Sequence, residues 1–309
     1  MGKPIVTVIG SINMDMITTT KTLPKKGETI LGENYQTNPG GKGANQAVAA
    51  ARLGAEVRMI GQVGNDAFGL ELIRMLDREN IDTSMIDIHG NTNTGTATIT
   101  LADNDNRIIV VPGANESLSP SYIEQYKGRI LKSDIVLVQF EIPLKVIRYC
   151  IDFCYENGIP IIINPAPALT LPEEYWLKAA YITPNEIEYK QILSDFQSKL
   201  DSKIIVTMGK EGVSYQKDGH VHDIPAYPVN PADTTGAGDT FNGALAVALA
   251  GKYEILEAIK FANAAAALST LKVGAQSGMP WKAELEKFLG TVEFDGVVAW
   301  RNEKLKGKC

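Results

Sequence analysis

The chain has 309 residues, of which 44% are hydrophobic and 21% are charged, and this composition excludes a disordered or fibrous protein. Its 30 Lys and Arg against 36 Asp and Glu give a net charge of −6, which excludes the overall basic field of a protein that binds nucleic acid or an anionic membrane. The length allows one large domain, alone or with a smaller companion.

The three cysteines indicate a reducing compartment, because they form no disulfide framework and no zinc-like spacing. Cys150 and Cys154 stand four residues apart in an apolar stretch, which predicts neighbours on a buried helix face. The N-terminal apolar run is too short for a secretory signal, and no segment is long enough to cross a bilayer. We therefore expect a cytoplasmic protein with neither a membrane nor a nucleic-acid partner.

Short apolar runs alternate with segments of helical periodicity over the first two thirds of the chain. The runs are continuous, as expected for strands covered on both faces. They are residues 5–9, 57–60, 135–139, 159–163 and 204–207. The helical segments between them are residues 44–53, 68–79, 121–131, 144–156 and 186–193. This alternation predicts an α/β protein with a mostly parallel central sheet flanked by helices.

Two stretches, residues 14–40 and 93–111, carry period-two alternation instead. We expect them to form a small antiparallel β-sheet that acts as a lid, as a dimer surface, or as both. The α/β core domain then comprises residues 1–13, 41–92 and 112–290. Ala-rich helices are predicted at 237–249 and 255–271, and residues 291–309 form a C-terminal tail with no assigned role.

The common nucleotide and hydrolase motifs are absent from the sequence. No Gly-Lys pair completes a P-loop, and the first strand runs into GSIN at residues 10–13 rather than into G-x-G-x-x-G. The G-x-S-x-G elbow of serine hydrolases is also missing. These absences leave two glycine-rich blocks as the candidates for chemistry.

The first candidate block is DTTGAGDTF at residues 233–241, directly before an Ala-rich helix. Its small residues let backbone N–H groups converge at the helix N-terminus, which makes an anion hole. Asp239, in the first turn, would be stabilised as a carboxylate by the helix dipole and could act as a base. A capped helix with an ordinary first-turn acid is the alternative for the short G-x-G-D pattern alone.

The second block is GGKGANQ at residues 40–46, where three glycines allow close backbone approach to a polyol and Lys42 and Asn45 offer donors. A tight turn before a capped helix is the alternative. Asn13 and Asp15 follow the first strand, at the edge where open α/β sheets bind ligands. An Asn–Asp pair suits neighbouring hydroxyl groups, although turn chemistry also accounts for it.

The two glycine blocks resemble the two signature motifs of the ribokinase-like carbohydrate kinases. Three more stretches read as in that family: NPAPA at 164–168, TPNE at 183–186 and FNGA at 241–244. The resemblance extends from residue 10 to about residue 281, and the stretches together are far more specific than any one of them. It implies ATP-dependent transfer of a phosphoryl group to a sugar.

The resemblance also implies roles for individual residues. Asp239 is implied as the catalytic base, and the anion hole is implied at Gly236, Ala237 and Gly238. The sugar, D-ribose, is implied to contact Asn13, Asp15, Gly41, Lys42, Gly43, Ala44, Asn45, Glu141 and Asp239. ATP is implied to contact Asn185, Thr207, Met208, Gly209, Lys210, Glu211, Gly212, Gly238, Asp239 and Asn263.

Two metal ions follow from the resemblance as well. Glu188 belongs to an N-x-x-E motif that acts near the phosphates and Mg²⁺. An activating K⁺ is implied at Asp233, Thr235, Ser269, Lys272, Gly274 and Gly278. The sequence departs from the family at Gly278, where Ser is frequent, and in residues 190–202, where a helix is missing.

We therefore predict ATP-dependent phosphorylation of D-ribose at O5 by a homodimer joined through its lid sheets. A related kinase for fructose, deoxyribose or a nucleoside would share Asp239 but differ around Asn13, Asp15 and Asn45. A non-catalytic sugar sensor on the same fold is disfavoured by the intact Asp239 and its glycines. A purely structural dimer leaves both glycine blocks unexplained.

Overall fold

A computed structural model describes residues 2–103, 105–200, 202–217 and 219–291. The strands in these residues are β1 (Ile5–Ile9), β2 (Asn13–Thr19), β3 (Asn34–Gly40), β4 (Glu56–Gly64), β5 (Asp82–His89), β6 (Gly95–Ala102), β7 (Asp105–Val111), β8 (Ile135–Gln139), β9 (Ile161–Asn164), β10 (Tyr181–Ile182), β11 (Ile205–Thr207), β12 (Val213–Lys217) and β13 (His220–Ile224). Of the predicted tail, residues 292–309 lie outside the described residues.

The α-helices in the same residues are α1 (Lys42–Arg52), α2 (Ala67–Arg78), α3 (Pro120–Glu124), α4 (Lys127–Ile130), α5 (Leu144–Glu156), α6 (Glu173–Lys178), α7 (Glu186–Ile192), α8 (Ala237–Ala250), α9 (Ile255–Ser269), α10 (Ala275–Gly278) and α11 (Lys282–Thr291). Short 3₁₀ turns lie at Gly113–Ser117, Ser194–Lys199 and Gly209–Glu211. Within this part of the chain, no helix combines the length and the apolar character that crossing a membrane requires.

Six parallel strands form the central sheet, in the order β10-β9-β8-β1-β4-β5. β1 and β8 are almost wholly buried, because helices cover both faces of the sheet, and their continuous apolar runs reflect this. The predicted fold class is confirmed. The predicted strand at 204–207 is β11, which pairs antiparallel with β12. Isolated parallel bridges join Ile204 to Ile182 of β10 and Thr207 to Asn185.

A separate sheet of four strands, in the order β3-β2-β6-β7, contains the two stretches of period-two alternation. The pairs β2–β3 and β6–β7 are antiparallel, as predicted, but the central pair β2–β6 is parallel. The parallel pairing follows from the strands that precede β2 and β6 in the chain. β2 follows β1 and β6 follows β5, so both leave the parallel central sheet at the same edge and run in the same direction.

Two apolar cores lie on opposite faces of the central sheet, because successive side chains of a strand point to opposite faces. Val6 and Val8 of β1 belong to the core that includes α1, α8 and α9, while Ile9 belongs to the core that includes α5 and α6. Cys150 and Cys154 are free and buried neighbours on α5, as predicted.

The helix predicted at 121–131 is in fact two short helices, α3 and α4. Ser119 caps α3, its hydroxyl accepting a hydrogen bond from the amide of Tyr122, and Pro120 fills the first position. The backbone leaves the helical region at Tyr126, with φ −107° and ψ 9°, and α4 starts after it. The apolar period continues across this break, so the sequence pattern alone does not show it.

Arg52 joins the end of α1 to the segment that follows α9. Its guanidinium pairs with Glu79 and donates to the carbonyls of Gln276 and Met279. It also lies 5.2 Å from the centre of the Trp281 ring. Because the side chains of Arg52 and Glu79 are only 13% and 18% exposed, the charges are mostly removed from water and need these partners.

Arg52→Met keeps much of the aliphatic stem but leaves Glu79 and two carbonyl oxygens without their donor. We expect the free energy of unfolding to fall by about 2–3 kcal/mol. Urea denaturation measures this loss. Arg74→Met, at an exposed position of α2, is the matched control and should change stability by less than about 0.5 kcal/mol. Equal effects of the two substitutions would contradict the assignment.

Candidate active site

Asp239 lies in the first turn of α8 and is 9% exposed. Gly236, the residue that precedes this helix, has a left-handed backbone with φ 78°, and a Cβ there would come within 2.9 Å of Ala275. The two carboxylate oxygens of Asp239 accept from two neighbouring side chains of α1. Asn45 Nδ2 donates to Oδ2 at 2.9 Å and Gln46 Nε2 donates to Oδ1 at 3.0 Å. The base is therefore held at both oxygens.

The start of α8 offers backbone donors beside this carboxylate. Ala237 N–H donates to the carbonyl of Thr234 at 3.2 Å, so this predicted member of the anion hole is engaged. Within the described residues, the amides of Gly236, Gly238 and Asp239 have no such partner, as expected for the first turn of a helix. A Cβ built on Gly238 meets nothing within 4 Å, so there is open space for an anion.

Three charged groups from other elements interact electrostatically with Asp239: Lys42, Glu141 and Asp15. Burial raises the pKa of Asp239, and Lys42, Gln46 and Asn45 partly oppose this effect. Burial alone would lower the pKa of Lys42, but the carboxylates of Asp239, Glu141 and Glu188 raise it above its ordinary value. One protonated lysine thus balances several carboxylates. The predicted residues of both the sugar side and the phosphate side meet here.

Glu141 lies at the N-terminus of α1. Its Oε2 accepts from the Ser11 hydroxyl at 2.6 Å and from the Lys42 amide at 3.1 Å. The start of α1 lies very close to the end of β1, since a Cβ on Gly43 would lie 2.6 Å from the carbonyl carbon of Gly10. Gly41 has φ 86°, and Ala44 donates its amide to the carbonyl of Ser11 at 2.9 Å. The glycines of this block therefore bring the helix start against the end of β1.

Asn13 and Asp15 lie on β2, the strand that follows the end of β1. Asn13 is 3% exposed and its Oδ1 accepts from Asn115 Nδ2 at 2.7 Å, which leaves its own amide group as a donor. The carboxylate of Asp15 lies against Gly40, where a Cβ would come within 2.3 Å of it. Burial, together with the charges of Glu141 and Asp239, raises the pKa of Asp15 to about 7.

The predicted nucleotide residues form a connected group that reaches Lys42 through Glu188. Asn185 and Glu188 make a reciprocal cap of α7, with both hydrogen bonds at 2.8 Å. Thr207, at the end of β11, is bridged to Asn185, and its amide donates to the carbonyl of Pro184 at 2.9 Å. The Glu188 charge also acts on Lys42, which connects this group to the base.

The loop of residues 207–212 turns at two glycines with positive φ, Gly209 at 55° and Gly212 at 99°. Met208 is half-buried, and Lys210 and Glu211 are exposed. A Cβ on Gly212 would lie 2.1 Å from the carbonyl oxygen of Ile224, while Asn263 Nδ2 donates to the carbonyl of Pro225 at 2.8 Å. Asn263 and the loop therefore meet at the chain segment after β13.

The predicted cation residues also lie together. The Asp233 carboxylate accepts from the Thr235 amide at 2.9 Å and from the Gly274 amide at 2.8 Å. Burial acts against ionisation, but these hydrogen bonds and that of the Thr235 hydroxyl lower the pKa of Asp233. Ser269 and Lys272 present carbonyl oxygens toward Gly278, whose Cβ would lie 2.2 Å from the Ser269 oxygen and 3.4 Å from the Lys272 oxygen.

This close approach explains the departure at Gly278. The Cβ of a serine at this position would collide with the Ser269 carbonyl oxygen unless the backbone shifted, so the backbone conformation seen here requires glycine. The donor set consists of a carboxylate and backbone carbonyls, which is the oxygen-rich chemistry that hard cations take. In the described residues, no three side chains of His, Cys, Asp or Glu gather as a separate metal cluster.

Several polar residues of the site have no role in the sequence prediction. They are fully or almost fully buried, and they contact the predicted residues directly or in a chain. These residues are Ser11, Gln46, Asn115, Gln139, Asn164, Thr183, Asn242 and Gln276. Gln46 belongs to the second glycine block, and Asn164 and Thr183 belong to the stretches that resemble the kinase family. The sequence therefore showed that these positions carry polar side chains. It did not show their partners, since these come from distant parts of the chain.

The protein belongs to the pfkB family of carbohydrate kinases, whose sequence profile matches residues 3–282. A ribokinase of Bacillus subtilis is 47% identical over 287 residues, which cover 91% of this chain and 98% of the relative. A deoxyribokinase of Salmonella typhi is 36% identical, with 93% and 99% covered. The Arabidopsis thaliana ribokinase complexed with ribose and ATP has a TM-score of 0.84 and 30% identity, with 93% and 99% covered. The predicted family and a carbohydrate kinase activity are confirmed.

Asp15→Asn removes a carboxyl group whose pKa in the folded protein, about 7, is above its ordinary value of 3.8. The folded protein then binds more protons than the unfolded chain between these values, so the penalty of Asp15 on stability grows as pH rises through this window. We expect Asp15→Asn to increase the free energy of unfolding by about 2–4 kcal/mol at pH 8 and hardly at all at pH 4.

Urea denaturation at both pH values measures the difference. Asp195→Asn replaces an exposed carboxylate and is the control. A stabilisation by Asp15→Asn that is the same at pH 4 and pH 8 would show that Asp15 titrates normally.

Proposed function

We propose that the protein transfers the γ-phosphoryl group of ATP to O5 of D-ribose. The observation that carries the proposal is the position of Asp239, a buried carboxylate held at both oxygens, next to free amides of its own helix start and to open space at Gly238. The family membership and the ribokinase relatives support the substrates.

Asp239 acts as the general base. It takes the proton of the O5 hydroxyl as O5 attacks the γ-phosphorus, the new O5–P bond forms, and the bond to the β,γ-bridging oxygen breaks to release ADP. Burial raises the pKa of Asp239, which makes this carboxylate a stronger base than one in water. Negative charge on the transferring group is stabilised by the amides of Gly236 and Gly238 rather than that of Ala237.

The sugar lies against β2 and the start of α1 in this proposal. Asn13, with its free amide group, and Asp15 suit neighbouring hydroxyl groups, and Lys42 and Glu141 complete the polar surface. The backbone of Gly41, Gly43 and Ala44 approaches the sugar closely. Asn45 has a double role, because its amide group already donates to Asp239.

ATP lies along the group that begins at Asn185 and Glu188, continues through Thr207 to Gly212, and ends at Asn263. Glu188 is a buried carboxylate beside Lys42 and fits the oxygen ligands that Mg²⁺ takes, directly or through water. When bound with ATP, Mg²⁺ neutralises phosphate charge. A Cβ on Gly209 would meet nothing within 4 Å, so this part of the loop has room for the nucleotide. We expect the short stretch at 190–202 to reshape the nucleotide side and not to touch the sugar.

K⁺ is the second proposed ion. The carboxylate of Asp233, the hydroxyl of Thr235 and the carbonyls of Ser269, Lys272 and Gly274 are its ligands, with Gly278 allowing the close approach of the carbonyls. A bound cation stabilises the segment around α10. Because ATP is a metabolite of the cytoplasm, we propose this compartment for the protein.

The four-stranded sheet is the lid in this proposal. Its strand β2 carries Asn13 and Asp15, so movement of the sheet toward the core domain covers the sugar and excludes water from Asp239. Excluding water suppresses wasteful hydrolysis of ATP.

Deoxyribose is the second candidate substrate, because the deoxyribokinase relative is 36% identical over nearly the whole chain. A panel of pentoses, hexoses and nucleosides with Mg-ATP, with and without K⁺, distinguishes the candidates. Selective turnover of ribose that K⁺ increases supports the proposal. Selective turnover of another sugar overturns the substrate, and ribose binding without any turnover favours the sensor.

Asp239→Asn should lower kcat by about 10²–10⁴-fold, because the variant keeps the size of the side chain but lacks a base. Coupled-assay kinetics measure kcat, and calorimetry should show ribose binding within a few-fold of wild type. Asp195→Asn, at an exposed position, is the control. Activity of Asp239→Asn close to wild type would refute the assignment of the base.

We further propose that the lid sheets join two copies of the chain. Among the described strands, β7 has a neighbour on one side, β6, and its apolar residues are exposed on both faces: Ile108 53%, Ile109 68%, Val110 48% and Val111 53%. An unpaired edge with such a surface favours association with a second chain.

Ile109→Lys places a charge in this surface and should convert the dimer to a monomer. Sedimentation velocity at micromolar concentration measures the change. Ile187, which is 66% exposed on α7, offers the matched control Ile187→Lys, which should stay dimeric. A wild-type chain that sediments as a monomer, or a variant that stays dimeric, would refute the proposal.

A further inference from the structure

Gln46 occupies an unusual position for a fully buried side chain. Its Nε2 lies 3.0 Å from Asp239 Oδ1 and 3.1 Å from Asn164 Oδ1, and its Oε1 lies 2.7 Å from Gln139 Nε2. Both Gln46 and Gln139 are 0% exposed. A buried amide that is engaged on both its nitrogen and its oxygen has only one orientation that satisfies all of its partners.

The orientation follows from a backbone group. Asn164 Nδ2 lies 2.9 Å from the carbonyl oxygen of Thr183, which can only accept, so the amide nitrogen of Asn164 must face it. Asn164 Oδ1 then faces Gln46, and Gln46 must present Nε2 there. The same nitrogen is therefore the donor to Asp239, and Gln139 must donate to Gln46 Oε1.

Thr183 also connects to the other end of this network. Its hydroxyl donates to Asn242 Oδ1, and Asn242 Nδ2 donates to the carbonyl of Gly238 at 2.9 Å. Gly238 directly precedes Asp239, so the hydrogen bonds close a ring from Gln46 through Asn164, Thr183 and Asn242 back to the first turn of α8. Thr183 and Asn242 are 1% and 2% exposed. The backbone and the carboxylate of the first turn are thus held from one buried network.

We propose that Gln46 is a positioning residue for the catalytic base: it orients Asp239 Oδ1, while Asn45 holds Oδ2. Both hydrogens of its amide nitrogen are engaged within the chain, and the side chain is 0% exposed, so Gln46 does not contact a substrate. A carboxylate held at both oxygens does not rotate, and each oxygen keeps a second lone pair that can accept the proton of the sugar hydroxyl. This inference deepens the proposed function and rests on it, because it needs Asp239 as the base.

The hydrogen bond also affects the titration of the base. Burial raises the pKa of Asp239, while Lys42 from α1 and the donors Gln46 and Asn45 lower it again. Glu141, after β8, raises the pKa of Asp239, and Asp15 on β2 and Glu188 on α7 are the other acids of the cluster. Removing the Gln46 donor leaves those charges in place and shifts the balance toward the protonated acid, which is inactive as a base.

The test is Gln46→Met, which keeps the length and volume of the side chain and removes the donor. We expect kcat to fall about 10–100-fold and the acid limb of the kcat–pH profile to move up by about one pH unit. The Kd for ribose, from calorimetry without ATP, should stay within a few-fold of wild type. Gln62→Met is the matched control, because Gln62 is 4% exposed and also donates to a carboxylate, Asp87, at 3.1 Å.

The outcomes separate the possible roles of Gln46. If the acid limb does not move in Gln46→Met, or if Gln62→Met moves it by the same amount, the positioning role is overturned. If Gln46→Met greatly raises the Kd for ribose and leaves kcat unchanged, Gln46 contacts the substrate instead. Gln46→Glu, which places another carboxylate beside Asp239, must shift the acid limb in the same direction, so the inference can be refuted even if the methionine variant does not fold. A wild-type protein that turns over no sugar refutes the proposed function rather than this role.

Discussion

The burial of one carboxylate sets the requirements for the rest of this structure. A buried carboxylate without partners is strongly destabilising, so Asp239 needs donors and positive charge that the protein must supply from elsewhere. Asn45, Gln46 and Lys42 all come from α1, which therefore has to start close to the start of α8. The missing side chain at Gly43, which brings α1 against Gly10, is one consequence of this requirement.

The same geometry concentrates acids on the sugar side. Asp15, Glu141 and Asp239 influence one another electrostatically, and Lys42 is the cation that they share. Ser11 and the N-terminus of α1 stabilise the Glu141 charge by hydrogen bonds, whereas the carboxylate of Asp15 has Gly40 beside it and has no such helix end. The carboxyl group of Asp15 therefore keeps the raised pKa that its burial and the charges of Glu141 and Asp239 produce.

Much of the fold could be predicted because its signals are local. Continuous apolar runs predicted four of the six parallel strands, β1, β4, β8 and β9, and glycine blocks marked the starts of α1 and α8. The parallel pairing of β2 with β6 could not be predicted from alternation, because alternation is the same in parallel and antiparallel strands. Likewise, the chemical types of Gln46, Asn164 and Thr183 were visible, but the ring that they form depends on contacts between residues more than 100 positions apart, such as Gln46 with Asn164 at a separation of 118.

The segment around α10 connects two regions that the sequence presents as separate. Gln276 lies between Gly274 and Gly278 and donates to Asn45 Oδ1 at 3.0 Å, and Asn45 in turn holds Asp239. Only two hydrogen bonds therefore separate the proposed cation segment from the proposed base. A shift of this segment reaches Asp239 Oδ2 through Asn45, which is also a proposed contact of the sugar. Its kinetic signature is therefore a change both in the rate of phosphoryl transfer and in the affinity for the sugar.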